Sequence, residues 1–154
     1  MATHALHAKT GVSRRTVIAA AAACAAQGEP GPACATPAEP TPEPKWYEAA
    51  LSMKRLAESW GDQPYGAVLV LEGKLIGEGP SRVVKNRDTG AHAEREAIRD
   101  AQSRSGKTVL PRAVLYSTSR PCPMCEDAAA QAGVARMYFG PMLTDAGAPR
   151  SAQR

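Results

Sequence analysis

Two short stretches about thirty residues apart, His92-Ala93-Glu94 and Pro121-Cys122-Pro123-Met124-Cys125, limit the folds open to this chain more than anything else in it. One imidazole and two thiols are ligands that zinc prefers, and three protein ligands leave a fourth tetrahedral position for water. A fold that serves them must carry His92, Cys122 and Cys125 to one point and set Glu94 beside it. Cys122 and Cys125 are three apart, with Pro123 where a helix prefers proline, at its first position. That spacing on an opening turn puts both sulfurs on one side, and the positive end of the helix dipole favours thiolate, the form that binds metal. Residues two apart do not share a face in mid-helix, so His92 and Glu94 converge only if they open one. There Glu94 can hold and move protons while staying off the metal.

The hydrophobic pattern predicts a frame of that kind. Trp46, Ala50, Met53, Ala57 and Trp60 recur at steps of four and three, predicting a helix that ends near Gly61 and packs both tryptophans into the core. Residues 65–71 form an almost unbroken apolar run, Glu72-Gly73 reads as a turn, and 74–79 as its partner strand. This is a hairpin whose first strand is buried on both faces. Ala93, Ala97, Ile98 and Ala101 make a helix of 91–103; then 114–118 reads as a strand, 123–132 as a helix and 134–139 as a strand. Strand, helix, strand implies parallel pairing through a right-handed crossover, in a mixed sheet with helices on both faces. Sites in such sheets collect at the carboxyl ends of strands.

With 154 residues there is room for one folded domain, and the expected boundaries are 1–27, 28–44 and 45–154. The first segment places Arg14-Arg15 before an alanine-rich run over 19–26, the order of a twin-arginine signal, and predicts a periplasmic or secreted protein. That run is too short to span a bilayer. The alternative is an N-terminal extension on a cytoplasmic enzyme. The second segment is proline-rich, with almost nothing apolar beyond alanine, and reads as an extended spacer. Of the four cysteines, Cys122 and Cys125 are better explained by metal than by a disulfide, and Cys24 and Cys34 fall outside the domain. A structural zinc site normally has four protein ligands, and the domain offers no further Cys or His, since His4 and His7 lie in the leader. The net charge of +4 is spread through interleaved acids and bases, apart from a local excess at Arg82, Lys85 and Arg87. It permits contact with phosphate without demanding it.

From about Trp46 to Phe139 the chain resembles the cytidine deaminase-like superfamily, whose zinc nucleobase deaminases share a His-x-Glu and Pro-Cys-x-x-Cys signature. The motifs that carry the likeness are Pro64-Tyr65-Gly66-Ala67-Val68-Leu69-Val70, Ala91-His92-Ala93-Glu94, Ser117-Thr118, the Cys122–Cys125 motif and Met137-Tyr138-Phe139-Gly140. They are most similar to the branch of guanine deaminases and tRNA adenosine deaminases. The resemblance implies an α/β, three-layer α-β-α fold with a shortened C-terminus, and Zn2+ held by His92, Cys122 and Cys125. It also implies Glu94 as proton carrier, a homodimer, and hydrolytic deamination of a small nucleobase or nucleoside, guanine-type first.

Some positions depart from that branch. An Asn that grips the base there corresponds to Ser81 in Gly79-Pro80-Ser81-Arg82, which offers one hydroxyl where Asn offers a two-ended amide. Ala91 follows Asp88-Thr89-Gly90 without the usual proline, and Arg120 stands where the family often has Glu. Ser81, Ala91 and Arg120 are the expected substrate contacts. After Gly140 the tail is short, where relatives add a strand and a helix, which favours a small substrate over tRNA. A polynucleotide deaminase and a catalytically silent zinc-bound module are the alternatives.

Overall fold

The computed structural model describes residues 41–151, so the expected leader and most of the spacer lie outside the described residues. Pro44, taken above as the last spacer residue, instead opens helix α1 (Pro44–Ser59), where its missing N–H costs no hydrogen bond. Strands β1 (Gly66–Leu71) and β2 (Lys74–Pro80) form the expected hairpin. Glu72 and Gly73, at φ 51° and 70°, both take the left-handed conformation that a two-residue hairpin turn requires. A short helix α2 (Val83–Asn86) follows, then α3 (Ala93–Ser105), β3 (Val114–Ser117), α4 (Pro123–Gln131), β4 (Arg136–Phe139) and β5 (Thr144–Gly147).

The sheet runs β2-β1-β3-β4-β5. β3 and β4 pair in parallel across α4, and the other neighbours are antiparallel, giving the mixed sheet expected. Alternation along the strands divides the core into two layers. Ala67, Leu69, Leu115 and Met137 face α3 and α4, where Ala93, Ala97, Ile98, Ala101 and Ala129 meet them. Val68, Val70, Val114, Tyr116 and Tyr138 point the other way, onto Ala50 of α1 with Trp46 and Met53 beside it. Helices therefore cover both faces, as the three-layer reading requires.

Small residues let the helices come close. A side chain at Gly66 would overlap the backbone of α1 at Ala50 and Lys54, and one at Gly79 would overlap the Ala93 carbonyl and the Ala97 nitrogen of α3. The hairpin thus sets the height of the first turn of α3 on the sheet.

Two expectations need correction. Trp60 is only half-buried and joins neither core layer; its ring lies beneath Lys85 Nζ, 3.6 Å from the centroid, and Arg82 Cζ, 5.1 Å away. A solvent-edge ring facing cations gains roughly 0.5–1 kcal/mol per contact through its quadrupole, which offsets part of what burial in the core would have given. The tail after Gly140 is also not without structure: Gly140 and Leu143 at positive φ close a turn into β5, and Arg136 binds Asp145 across the β4–β5 pair, with its Nε 3.0 and 3.1 Å from the two carboxylate oxygens.

Candidate metal centre and cavity

Two helix N-termini meet at the carboxyl end of the parallel pair. His92 is the N-cap of α3, extended at φ −66° and ψ 152°, and Cys122 is the N-cap of α4, with Pro123 in the first turn. Cys125 then falls on that turn, its N–H donating to the Cys122 carbonyl at 2.9 Å. The three donor atoms close a triangle. Cys122 Sγ lies 3.6 Å from His92 Nδ1, Cys125 Sγ lies 3.5 Å from the same nitrogen, and the sulfurs are 3.5 Å apart.

Those separations test the fit of a metal. At zinc bond lengths of about 2.3 Å to sulfur and 2.0–2.1 Å to nitrogen, a tetrahedral angle puts S and N about 3.6 Å apart and two sulfurs about 3.8 Å apart. The triangle matches the first figure and is slightly tight for the second. Among the described residues, His92, Cys122 and Cys125 form the one group of metal-capable side chains whose donors gather this closely.

Glu94 is buried on the first turn of α3, at 5 % exposure. Its Oε1 accepts a 2.9 Å hydrogen bond from the Ser117 hydroxyl, and its Oε2 lies 3.5 Å from Cys125 Sγ. Ser117 ends β3 and is itself buried, so one carboxylate oxygen is pinned by the sheet and the other faces the donor cluster. The expectation that helix position alone makes both thiols acidic does not hold for Cys125. Burial pushes that thiol up, and the charge of Glu94 pushes it the same way. A thiolate in that place needs a cation against it, which is what a metal provides.

A cavity of about 270 Å³ opens beside the cluster, lined by His92, Ala93, Glu94 and Cys122. Gln63, Tyr65, Ser119 and Arg120 complete it. A cavity of about 310 Å³ between α3 and α4, bordered by Arg95, Arg99 and Thr108, includes none of the donor residues and has no chemistry of this kind near it.

Of the expected substrate contacts, Arg120 lines the cavity and Ser81 and Ala91 do not. Ser81 is fully buried and its hydroxyl donates to the buried Asp62 Oδ1 at 3.0 Å, a bond that already uses its one donor. Ala91 is fully buried, and its backbone ties the loop, the carbonyl accepting from Arg82 N at 3.0 Å. Sequence reasoning passed over Ser117, Gln63 and Tyr65 as site residues. Ser117 had a usable signal, the last position of a buried strand that runs toward the cysteine motif.

Residues 41–141 match the family model described as the cytidine and deoxycytidylate deaminase zinc-binding region. The chain is 40% identical over 109 residues to a tRNA-specific adenosine deaminase of Agrobacterium fabrum, covering 71% of this chain and 72% of that protein. It is 40% identical over 83 residues to a guanine deaminase of Bacillus subtilis, covering 54% of this chain and 53% of the relative. The solved structure of guanine deaminase from Bacillus subtilis superposes with a TM-score of 0.61 at 32% identity, over 65% of this chain and 64% of that one. The chain spans 66% of the length of the tRNA-specific adenosine deaminase of Buchnera aphidicola subsp. Schizaphis graminum, to which it is 37% identical. On a match that takes in both halves of the donor cluster and the sheet between them, the chain belongs to the family of the cytidine and deoxycytidylate deaminase zinc-binding region.

Proposed function

We propose that this chain is a zinc-dependent hydrolytic deaminase of a small nucleobase or nucleoside, with guanine-type bases as the leading substrate. One observation carries the reading: three donors at zinc spacing, with a buried carboxylate beside them whose second oxygen is free of the sheet. His92, Cys122 and Cys125 would hold the ion. Zinc bound there supplies Lewis acidity that brings water toward ionisation near neutral pH. The reaction replaces an amino group on a ring carbon by oxygen: water's oxygen bonds to that carbon, the C–N bond breaks, and ammonia leaves.

The protein's part is proton transfer. Glu94 Oε2 takes a proton from the attacking water and delivers it to the adjacent ring nitrogen; it then takes the remaining proton from the hydroxyl now on the ring carbon and hands it to the departing amine, so the carbonyl forms as ammonia leaves. Ser117 keeps the carboxylate from rotating by holding Oε1. In Glu94→Gln we expect about one zinc per chain to remain and ammonia release to fall by about 10²–10⁴-fold. Retention of most of the turnover would remove Glu94 from this role.

A second reading, deamination within a polynucleotide, is favoured by relatives named as tRNA-specific adenosine deaminases and by the cations of Arg82 and Lys85 over Trp60. An ammonia assay across free bases, nucleosides and single-stranded oligonucleotides separates the two. Pairing of two copies is part of the proposal, and a mass of one chain in light scattering at working concentration counts against it. So is export, which Arg14-Arg15 and the alanine run support. Changing both arginines to lysine should leave the protein inside the cell in a fractionation assay, whereas unaltered export would discard the leader.

A further inference from the structure

Four polar side chains lining the cavity, Gln63, Tyr65, Ser119 and Arg120, are not used by the proton chemistry above, and Gln63 and Arg120 are the two that carry nitrogen donors. Gln63 and Arg120 both line it, and among the described residues neither side chain has a hydrogen bond or ion pair within the chain. Five arginines meet carboxylates, Arg82 and Arg99 at Glu96, Arg104 at Glu78 and Asp100, Arg112 at Glu72 and Arg136 at Asp145, whereas Arg120 is exposed at the cavity and joins none. Arg120 lies at the cavity two residues before Cys122 without such a partner.

Both positions are anchored through the backbone. Arg120 is tied to the donor cluster by its place in the chain. Gln63 is fixed from the other side, its N–H donating to Asp62 Oδ1 at 2.7 Å and its carbonyl accepting from Tyr65 N at 2.8 Å. A guanidinium offers donors and no acceptor, whereas a primary amide offers both. A ring presented to Glu94 therefore meets a donor-only group at Arg120 and a two-way group at Gln63.

We propose, resting on the deaminase reading above, that Arg120 selects amino-heterocycles that carry a ring oxo group, of the guanine or cytosine type, against those without one. Gln63 supplies the second contact to the ring edge. A ring lacking the oxygen would bring Arg120 out of water with nothing to accept from it, and sites built to bond a substrate's polar group discriminate strongly against analogues that lack it.

Matched pairs test this on the zinc-loaded full chain. Guanine and 2-aminopurine share the amino-bearing carbon and differ by the oxo group, as do cytosine and 4-aminopyrimidine. Differences in intrinsic reactivity cancel when the oxo-to-deoxo ratio of kcat/KM is compared between the unaltered chain and Arg120→Ala. We expect that ratio to fall by about 10- to 100-fold in Arg120→Ala, with part of it restored in Arg120→Lys. Equilibrium binding of hypoxanthine against purine, neither of which carries an amine to lose, should show the same selective loss for hypoxanthine. Turnover with an unchanged ratio overturns oxo selection and leaves the deaminase reading standing. Selective loss of hypoxanthine binding in a chain that turns over no substrate supports oxo selection and sinks the deaminase reading instead.

Discussion

Asp62 shows how much one buried carboxylate can organise. Its oxygens accept from the N–H groups of Gln63, Val84 and Lys85 and from the Ser81 hydroxyl, at 2.7 to 3.0 Å. The residue joins the loop before β1, the end of β2 and the start of α2. Burial alone would push its pKa up, but the donors of Lys85, Gln63, Ser81 and Val84 together outweigh burial and hold it below the ordinary aspartate range. A depressed folded-state pKa stabilises the fold fully above the unfolded value of about 3.9, and that contribution is lost as pH falls through the folded value. Asp62→Ala, which strands a buried hydroxyl and three N–H groups, should cost about 2–4 kcal/mol at pH 7 in urea unfolding. The cost should shrink in acid below about pH 4; a cost that stays constant down to pH 2.5 would assign it to packing. Ser81 was legible as a polar residue near the site, yet its direction depended on Asp62, nineteen positions away, and no local pattern reports such a pairing.

At the scale of elements, the periodic parts of the chain were readable because their signal is local. The alanine face of α3, the apolar run of β1 and the Glu72-Gly73 turn follow from spacing and backbone freedom. α2 and β5 were not readable. Val83–Asn86 is too short to show a period, and Thr144–Gly147 has little strand propensity and is held at the sheet edge partly by the Arg136–Asp145 pair. The donor cluster was legible in full as a set of residues. What spacing could not give was the seating of α3, which depends on the contact between Gly79 and Ala93. Gly79→Ala should lift the first turn of α3, costing about 1–3 kcal/mol by overpacking. Because that turn carries Glu94 and follows His92, zinc competition with a chromophoric chelator should show weaker binding in the same variant. A stability loss without any change in zinc affinity would mean the helix bends elsewhere to absorb the methyl.

For the molecule as a whole, the donors tie together the first turns of two helices that share one layer over the sheet. α3 and α4 lie on one face, and His92 with Cys122 and Cys125 draws their first turns together. Zinc that binds the folded chain in preference to the unfolded one raises stability by mass action. Stripping it with chelator should lower Tm by roughly 10 °C, recoverable by adding zinc back, in differential scanning measurements. No shift on either treatment would show that the cluster is not a metal centre.

Of the three donors, only the two thiols lie within one short loop; the imidazole, thirty residues upstream, reaches them only through the folded sheet and helix α3. Capture of the ion thus reports on completed assembly, and a half-formed molecule would let it go.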